Sequence, residues 1–224
     1  MSPDTASAGT LRAVLFDMDG TLVDSEKVWS VGLAELAGVH GATLSAAART
    51  AMVGTSMADS MRILHHDIGR GDLDIIASVD WLERRVGELF AAGLTWRPGA
   101  QELLTVVRAA GLPTALVTAT RRRLVDVALT TIGAHHFDAV VAGDEVEQTK
   151  PHPMPYLTAA ARLGADARRC VAVEDSPNGV ASALAAGCAV LAVPCEVVLA
   201  DAEGVTVVPS LVDVDVDYLR KLVD

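Results

Sequence analysis

Leu11-Arg12-Ala13-Val14-Leu15-Phe16-Asp17-Met18-Asp19-Gly20-Thr21 is the stretch on which the fold turns. A short apolar run breaks off at two acids and a glycine, the pattern of a strand buried on both faces that delivers carboxylates at its C-terminal tip. Gly20 permits the tight turn that leads away. Similar apolar runs recur at residues 112–117, 139–142, 170–173 and 189–193, and most end in a polar side chain: Thr118, Asp144, Glu174 and Asp175. Between them lie helical patterns at 99–110, 121–132, 154–163 and 178–186, followed by Gly111, Gly133, Gly164 and Gly187 as helix C-caps would be. Alternating strand and helix predicts an α/β fold, a Rossmann-like parallel sheet flanked by helices. Ligands of such sheets bind beyond the carboxyl ends of the strands, so five strand tips are expected to converge on one site.

Residues 25–96 break the alternation. They hold no convincing strand and read as helices interrupted at Gly41, Gly54 and Gly69 to Gly71. The connection is too long for one crossover, whose loops run roughly 2–6 residues around a single helix. The expected organisation is a core of residues 11–23 and 97–224, an all-helical insert of residues 24–96 with hinges near 23–25 and 95–98, and a flexible tail of residues 1–10.

Composition agrees with a single large domain carrying an insertion. Of 224 residues 51% are hydrophobic but only 4% aromatic, so the core is built from Ala, Val and Leu. The net charge of −11 opposes nucleic-acid and anionic-membrane binding. No apolar stretch approaches the ~18 residues of a membrane span, and the first ten residues lack the basic and apolar regions of a signal peptide. Cys170, Cys188 and Cys195 form no C-x-x-C pair and read as packing residues of a reducing compartment, which predicts a cytoplasmic protein. Nothing in the sequence sets the oligomeric state, although a monomer is favoured.

The acids constrain the chemistry. Unit charges ~5 Å apart at an effective dielectric of ~20 repel by about 3 kcal/mol per pair, so gathering Asp17, Asp19 and Asp175 requires a cation among them. Oxygen ligands on neighbouring strand tips suit a small hard ion, Mg²⁺ first, with positions left for a phosphate oxygen. Lys150, stiffened by Pro151 and Pro153, supplies a fixed ammonium able to steady a phosphoryl group. Thr118, followed by backbone N–H groups at a helix start, can hold phosphate oxygens.

This set of motifs resembles the haloacid dehalogenase (HAD)-type phosphohydrolase superfamily over roughly residues 11–210: Asp17-x-Asp19-Gly20-Thr21, then Thr118, Lys150-Pro151 and Glu174-Asp175. The insert is similar to the helical type 1 cap of the subgroup with phosphoglycolate and sugar-phosphate phosphatases and β-phosphoglucomutase. The resemblance implies that Asp17 is the nucleophile forming an aspartyl phosphate and that Asp19 protonates the leaving alcohol and then activates water. It places Mg²⁺ on the Asp17 side chain, the Asp19 backbone carbonyl and Asp175, with Glu174 a direct or water-mediated contributor, and the phosphoryl group on Thr118, Ala119 and Lys150. The implied activity is a phosphoric monoester hydrolase acting on a small phosphorylated metabolite, with a sugar or polyol phosphate the expected substrate. A phosphosugar mutase is the alternative, but β-phosphoglucomutases carry His where Trp29 stands and Arg at the end of the Gly-x-x-Arg that here reads Gly54-Thr55-Ser56-Met57, which favours hydrolysis. A non-enzymatic receiver-like phosphoacceptor lacks the cap and the second acid.

Other residues are read as background. The pairs His65-His66 and His135-His136 are expected on the surface, since adjacent helical side chains point about 100° apart. His152 either neighbours the site or stiffens its loop. Arg121-Arg122-Arg123 is expected to be a solvated helix face, and Trp29, Met57 and Arg62 either pack the insert or meet the leaving group. Asn178 is a candidate to orient Asp175.

Overall fold

The computed structural model describes residues 10–52, 55–195, 197, 199 and 202–223. The expected tail, apart from Thr10, and the expected helix break at Gly54 lie outside the described residues. In chain order the elements are β1 (Ala13–Phe16), α1 (Glu26–Val39), α2 (Ala46–Met52), α3 (Met57–Asp67), α4 (Ile75–Ala91), α5 (Ala100–Ala109), β2 (Thr114–Val117), α6 (Arg122–Ile132), β3 (Ala139–Val141), α7 (Met154–Arg162), β4 (Cys170–Glu174), α8 (Pro177–Ala185), β5 (Ala189–Ala192), β6 (Val205–Val207) and α9 (Val216–Arg220). Gly111, Gly133, Gly164 and Gly187 all take positive φ just past a helix, as a C-terminal glycine does.

All strands are parallel, in the order β3-β2-β1-β4-β5-β6. The sheet therefore has six strands rather than five. Val205–Val207 escapes the sequence reading because three half-buried edge residues make no continuous apolar run, and α9 escapes it because five residues are too few to show a period. Chain direction across the sheet reverses between β1 and β4, which is where a parallel sheet opens a crevice at its carboxyl edge. Pairing of Phe16 with Leu116 on one side and Val173 on the other brings the tips of β1, β2 and β4 level.

Side chains alternate across the sheet, and this builds two cores. Val14, Phe16, Leu116 and Val173 pack with α5, α6 and the helices between β1 and α5. Ala13, Leu15, Ala115 and Ala172 pack with Tyr156, Ala159 and Ala183 of α7 and α8. Small residues on the second face bring α7 and α8, and the loops before them, close to the strand tips.

Helices α1 to α4 form a layer above the carboxyl edge, closed by Leu33, Leu36, Met61, Leu64, Leu82, Val86 and Phe90. Ser56 and Asp74 cap α3 and α4 by accepting from Asp59 N (3.1 Å) and Ala77 N (2.9 Å). The chain enters and leaves this layer through paired segments: Asp24 N donates to Thr95 O (2.8 Å), Arg97 N to Leu22 O (2.9 Å), and Val23 bridges Trp96. Among the described residues no helix is long and apolar enough to cross a membrane.

Candidate active site

Asp17 directly follows β1 with its N–H on Val173 O (3.0 Å), so its position is tied to the neighbouring strand. Its carboxylate is buried and its two oxygens are used differently. Oδ1 accepts from Lys150 Nζ at 2.6 Å, whereas Oδ2 is buried with no hydrogen-bond partner among the described residues. Burial, opposed by Lys150 and reinforced by Glu174 and Asp19, pushes the Asp17 carboxyl up to about 7.

The Lys150 side chain is buried, contrary to an ordinary surface lysine, and all three of its ammonium protons are placed. Besides Asp17 it donates to Val117 O (2.9 Å) and Glu174 Oε1 (2.5 Å). Glu174 is 0% exposed. Its Oε1 also accepts from Tyr156 Oη (2.7 Å), and its Oε2 accepts from Asp175 N (3.1 Å), Ser176 N (3.3 Å) and Ser176 Oγ (3.1 Å). Gly179 makes room for it, since a Cβ there would stand 1.8 Å from Glu174 Oε1.

Asp175 follows directly and accepts from Thr21 Oγ1 at 3.4 Å. Burial, with Asp17 and Glu174 adding repulsion, pushes its carboxyl up to about 9. Gly20, at φ +81°, lets the loop after β1 cross its side chain, for a Cβ on Gly20 would meet Asp175 Oδ2 at 2.0 Å. One oxygen each of Asp17, Glu174 and Asp175 lies within 4.8 Å of the others, a set able to hold a metal ion. The orphaned Oδ2 of Asp17 and the raised Asp17 and Asp175 carboxyls are the features a cation would relieve.

The Asp19 side chain stands outside that set. Its Oδ1 accepts from Ser25 Oγ (2.6 Å), and its Oδ2 from Thr118 Oγ1 (3.0 Å) and Thr120 Oγ1 (2.8 Å). Thr118 Oγ1 in turn accepts from Thr120 N (3.0 Å). Sequence reasoning missed Ser25, Thr120 and Tyr156. Thr120 lies two residues and Ser25 four residues past a motif, but a lone hydroxyl carries no periodic signal, and Tyr156 reads as core.

These groups open into a cleft of about 900 Å³ whose floor includes Asp17, Asp19, Thr118, Ala119, Lys150 and Asp175. Its roof comes from α1 to α4, with Trp29, Met57 and Arg49 among the lining residues. Trp29 packs edge-on against Phe90 (6.4 Å), and Arg49 donates to Ser30 Oγ (2.8 Å) and Glu26 Oε2 (3.1 Å). Asn178 also lines the cleft.

Several expectations need correction. His65 is buried rather than at the surface, 2.9 Å from Ser78 Oγ, because it lies on the side of α3 that meets α4. Arg121 and Arg123 are exposed, as a solvated helix face would be, but both also pair with buried Glu83 of α4, and Arg121 lines the cleft, since α6 is where the roof rests on the core. Arg62 is exposed, paired with Asp59 (2.6 Å), and does not line the cleft. Asp144 ends its strand away from the cleft and accepts from Arg122 N (2.8 Å) at the start of α6. His152 stiffens its loop, accepting from Met154 N (3.2 Å) and, through its carbonyl, from Ser182 Oγ (2.6 Å).

A family model described as haloacid dehalogenase-like hydrolase matches residues 11–187. Hexitol phosphatase A of Escherichia coli strain K12 is 37% identical over 194 residues, 81% of this chain and 82% of that protein. Protein CbbY of Rhodobacter capsulatus is 35% identical over 196 residues, 83% and 86% of the two chains. A crystal structure of a CbbY mutant from Rhodobacter sphaeroides in complex with xylulose-1,5-bisphosphate superposes with a TM-score of 0.81 at 25% identity, covering 94% of this chain and 99% of that one.

Proposed function

We propose, from the premise that the chain belongs to the haloacid dehalogenase-like hydrolase family, that it is a Mg²⁺-dependent phosphatase cleaving a small phosphorylated sugar or polyol through an aspartyl phosphate. The observation that carries the reading is the division of Asp17: one oxygen is held by Lys150, while the other is buried and has no hydrogen-bond partner among the described residues, in a carboxylate that forms a metal-sized set with Asp175 and Glu174.

Asp17 and Asp175, with the Asp19 backbone carbonyl, would hold Mg²⁺, which when bound neutralises charge between the carboxylates and an incoming phosphoryl dianion. Glu174 already takes five donors, from Lys150, Tyr156, Asp175 N and Ser176 N and Oγ, and so serves as the anchor of Lys150 rather than as a direct ligand. Asp17 attacks phosphorus, the bond from phosphorus to the ester oxygen breaks, and Asp19 gives a proton to the departing oxygen. Water then attacks the aspartyl phosphate, Asp19 takes its proton, and the Asp17 carboxylate is regenerated. Lys150 and the backbone N–H groups after Thr118 hold the phosphoryl oxygens. Ser25, Thr118 and Thr120 aim Asp19 from three sides.

Residues 24–96 act as the cap that excludes bulk water and meets the leaving group. Trp29 and Met57, both lining the cleft, stand where β-phosphoglucomutases carry His and Arg, which favours hydrolysis over a mutase reaction. The relatives named above include a hexitol phosphatase and a protein crystallised with a sugar bisphosphate, consistent with a carbohydrate-like leaving group. The free cysteines, with Cys170 and Cys188 buried, suit a cytoplasmic enzyme, and we read it as a monomer.

Phosphate release from a panel of sugar, polyol and carboxylic-acid phosphates, with Mg²⁺ and with chelator, tests the proposal. Multiple turnovers that stop with chelator are expected. A single long-lived phosphorylation without turnover would make the chain a phosphoacceptor module instead.

A further inference from the structure

We propose that Tyr156 is a positioning residue for Lys150, acting through Glu174, a role that rests on the reading of Asp17 and Lys150 as the phosphoryl-transfer pair. Tyr156 lies in the first helical turn of α7 and is 0% exposed among the small residues of the α7 and α8 face. A Phe would fill that space as well without burying a polar oxygen, so the hydroxyl needs a reason. It donates to Glu174 Oε1 at 2.7 Å, the same oxygen that accepts from Lys150 at 2.5 Å. The ammonium also stands 5.2 Å from the centroid of the Tyr156 ring.

Lys150 is therefore held by the ring, by Val117 O and by Glu174, with its remaining proton on Asp17 Oδ1. That last proton is the one a phosphoryl oxygen can claim, because Glu174 is fully buried and the Val117 carbonyl is fixed at the end of β2. The tyrosine hydroxyl occupies part of the accepting capacity of Oε1 and so moderates the pull of Glu174 on the ammonium. Without it, Lys150 settles toward Glu174 and away from the reacting atoms. The charge stays in the site, so the attraction for the bound substrate survives, whereas the aimed donor needed as charge develops in the transition state is lost.

Tyr156→Phe tests this, assayed with Mg²⁺ well below its melting temperature on the best substrate of the panel. The expected result is a kcat lower by about tenfold, the scale of one hydrogen bond to a charged group, with KM changed by no more than about twofold. A purely structural role would lower the melting temperature and leave kcat of the folded enzyme unchanged, and that result overturns the proposal. Should Tyr156→Phe fail to fold, biosynthetic 3-fluorotyrosine in a Tyr218→Phe background, which leaves Tyr156 the only tyrosine, alters the acidity of the hydroxyl without removing it. A shifted kcat at an unchanged melting temperature is then expected, and an unchanged kcat overturns the proposal. A wild-type enzyme that neither releases phosphate nor binds inorganic phosphate by calorimetry overturns the functional reading and this role with it. An active wild type whose kcat is indifferent to Tyr156 overturns this role alone.

Discussion

At the scale of single residues the site solves an electrostatic problem that local sequence poses. Asp17 shows it most clearly, with Lys150 on one oxygen and the other left for a ligand of positive charge or for attack on phosphorus. Asp17→Asn keeps the shape and removes the proposed nucleophile, so turnover should vanish while circular dichroism and the melting temperature stay close to wild type. Phosphatase activity retained by that variant would remove the assignment. Gly179 offers a second test through its sign. In an exposed helix Gly→Ala is stabilising by about 1 kcal/mol, but here the new methyl would enter the Glu174 carboxylate at 1.8 Å. We expect Gly179→Ala to cost about 2–3 kcal/mol in urea unfolding and to disturb Lys150 through its anchor.

Among elements, the contact that matters most for closing the cleft is α4 on α6. Gly87 of α4 lets Leu124 of α6 approach, and Glu83, buried on α4, is met by Arg121 and Arg123. Both arginines are about half exposed, which limits what the pairs contribute. Glu83→Gln should therefore lower stability by about 1 kcal/mol at low salt, with the difference from wild type shrinking as ionic strength rises. An unchanged difference between low and high salt in thermal melts would mean that packing, and not charge, docks the roof. The buried His65 to Ser78 hydrogen bond joins α3 to α4 in the same layer. It is a contact that only the folded pairing of two helices creates, which is why adjacent histidines looked like surface residues in one dimension.

For the molecule as a whole, the clustered carboxyls make stability depend on pH and on the cation. Burial raises the folded-state values of Asp17 and Asp175 from 3.8 to about 7 and about 9. With folded values above the unfolded ones, their contribution is fully present below about pH 4 and is lost as pH rises, through about 7 for Asp17 and about 9 for Asp175. Mg²⁺ held by these carboxyls as proposed would favour the ionised forms, so its stabilising effect should run the other way. Differential scanning fluorimetry should show a larger rise in melting temperature on adding Mg²⁺ at about pH 9 than at about pH 6. An equal or reversed effect would show that these carboxyls do not hold the ion. Much of this organisation was legible in one dimension. The runs that end at Asp17, Thr118 and Glu174, the glycines that close the helices and the acid spacing after the first strand specify a parallel α/β sheet and its reactive edge, because burial period and turn chemistry are local properties. The tertiary structure decided what depends on partners distant in sequence: β6 and α9, which are too short or too mixed to show a pattern; the hydroxyl of Thr120 on Asp19; the pairing of Arg121 and Arg123 with Glu83; and the use of all three Lys150 protons. A hydrogen bond or ion pair between residues tens of positions apart or more is set by the packing of whole elements, and no local period encodes it.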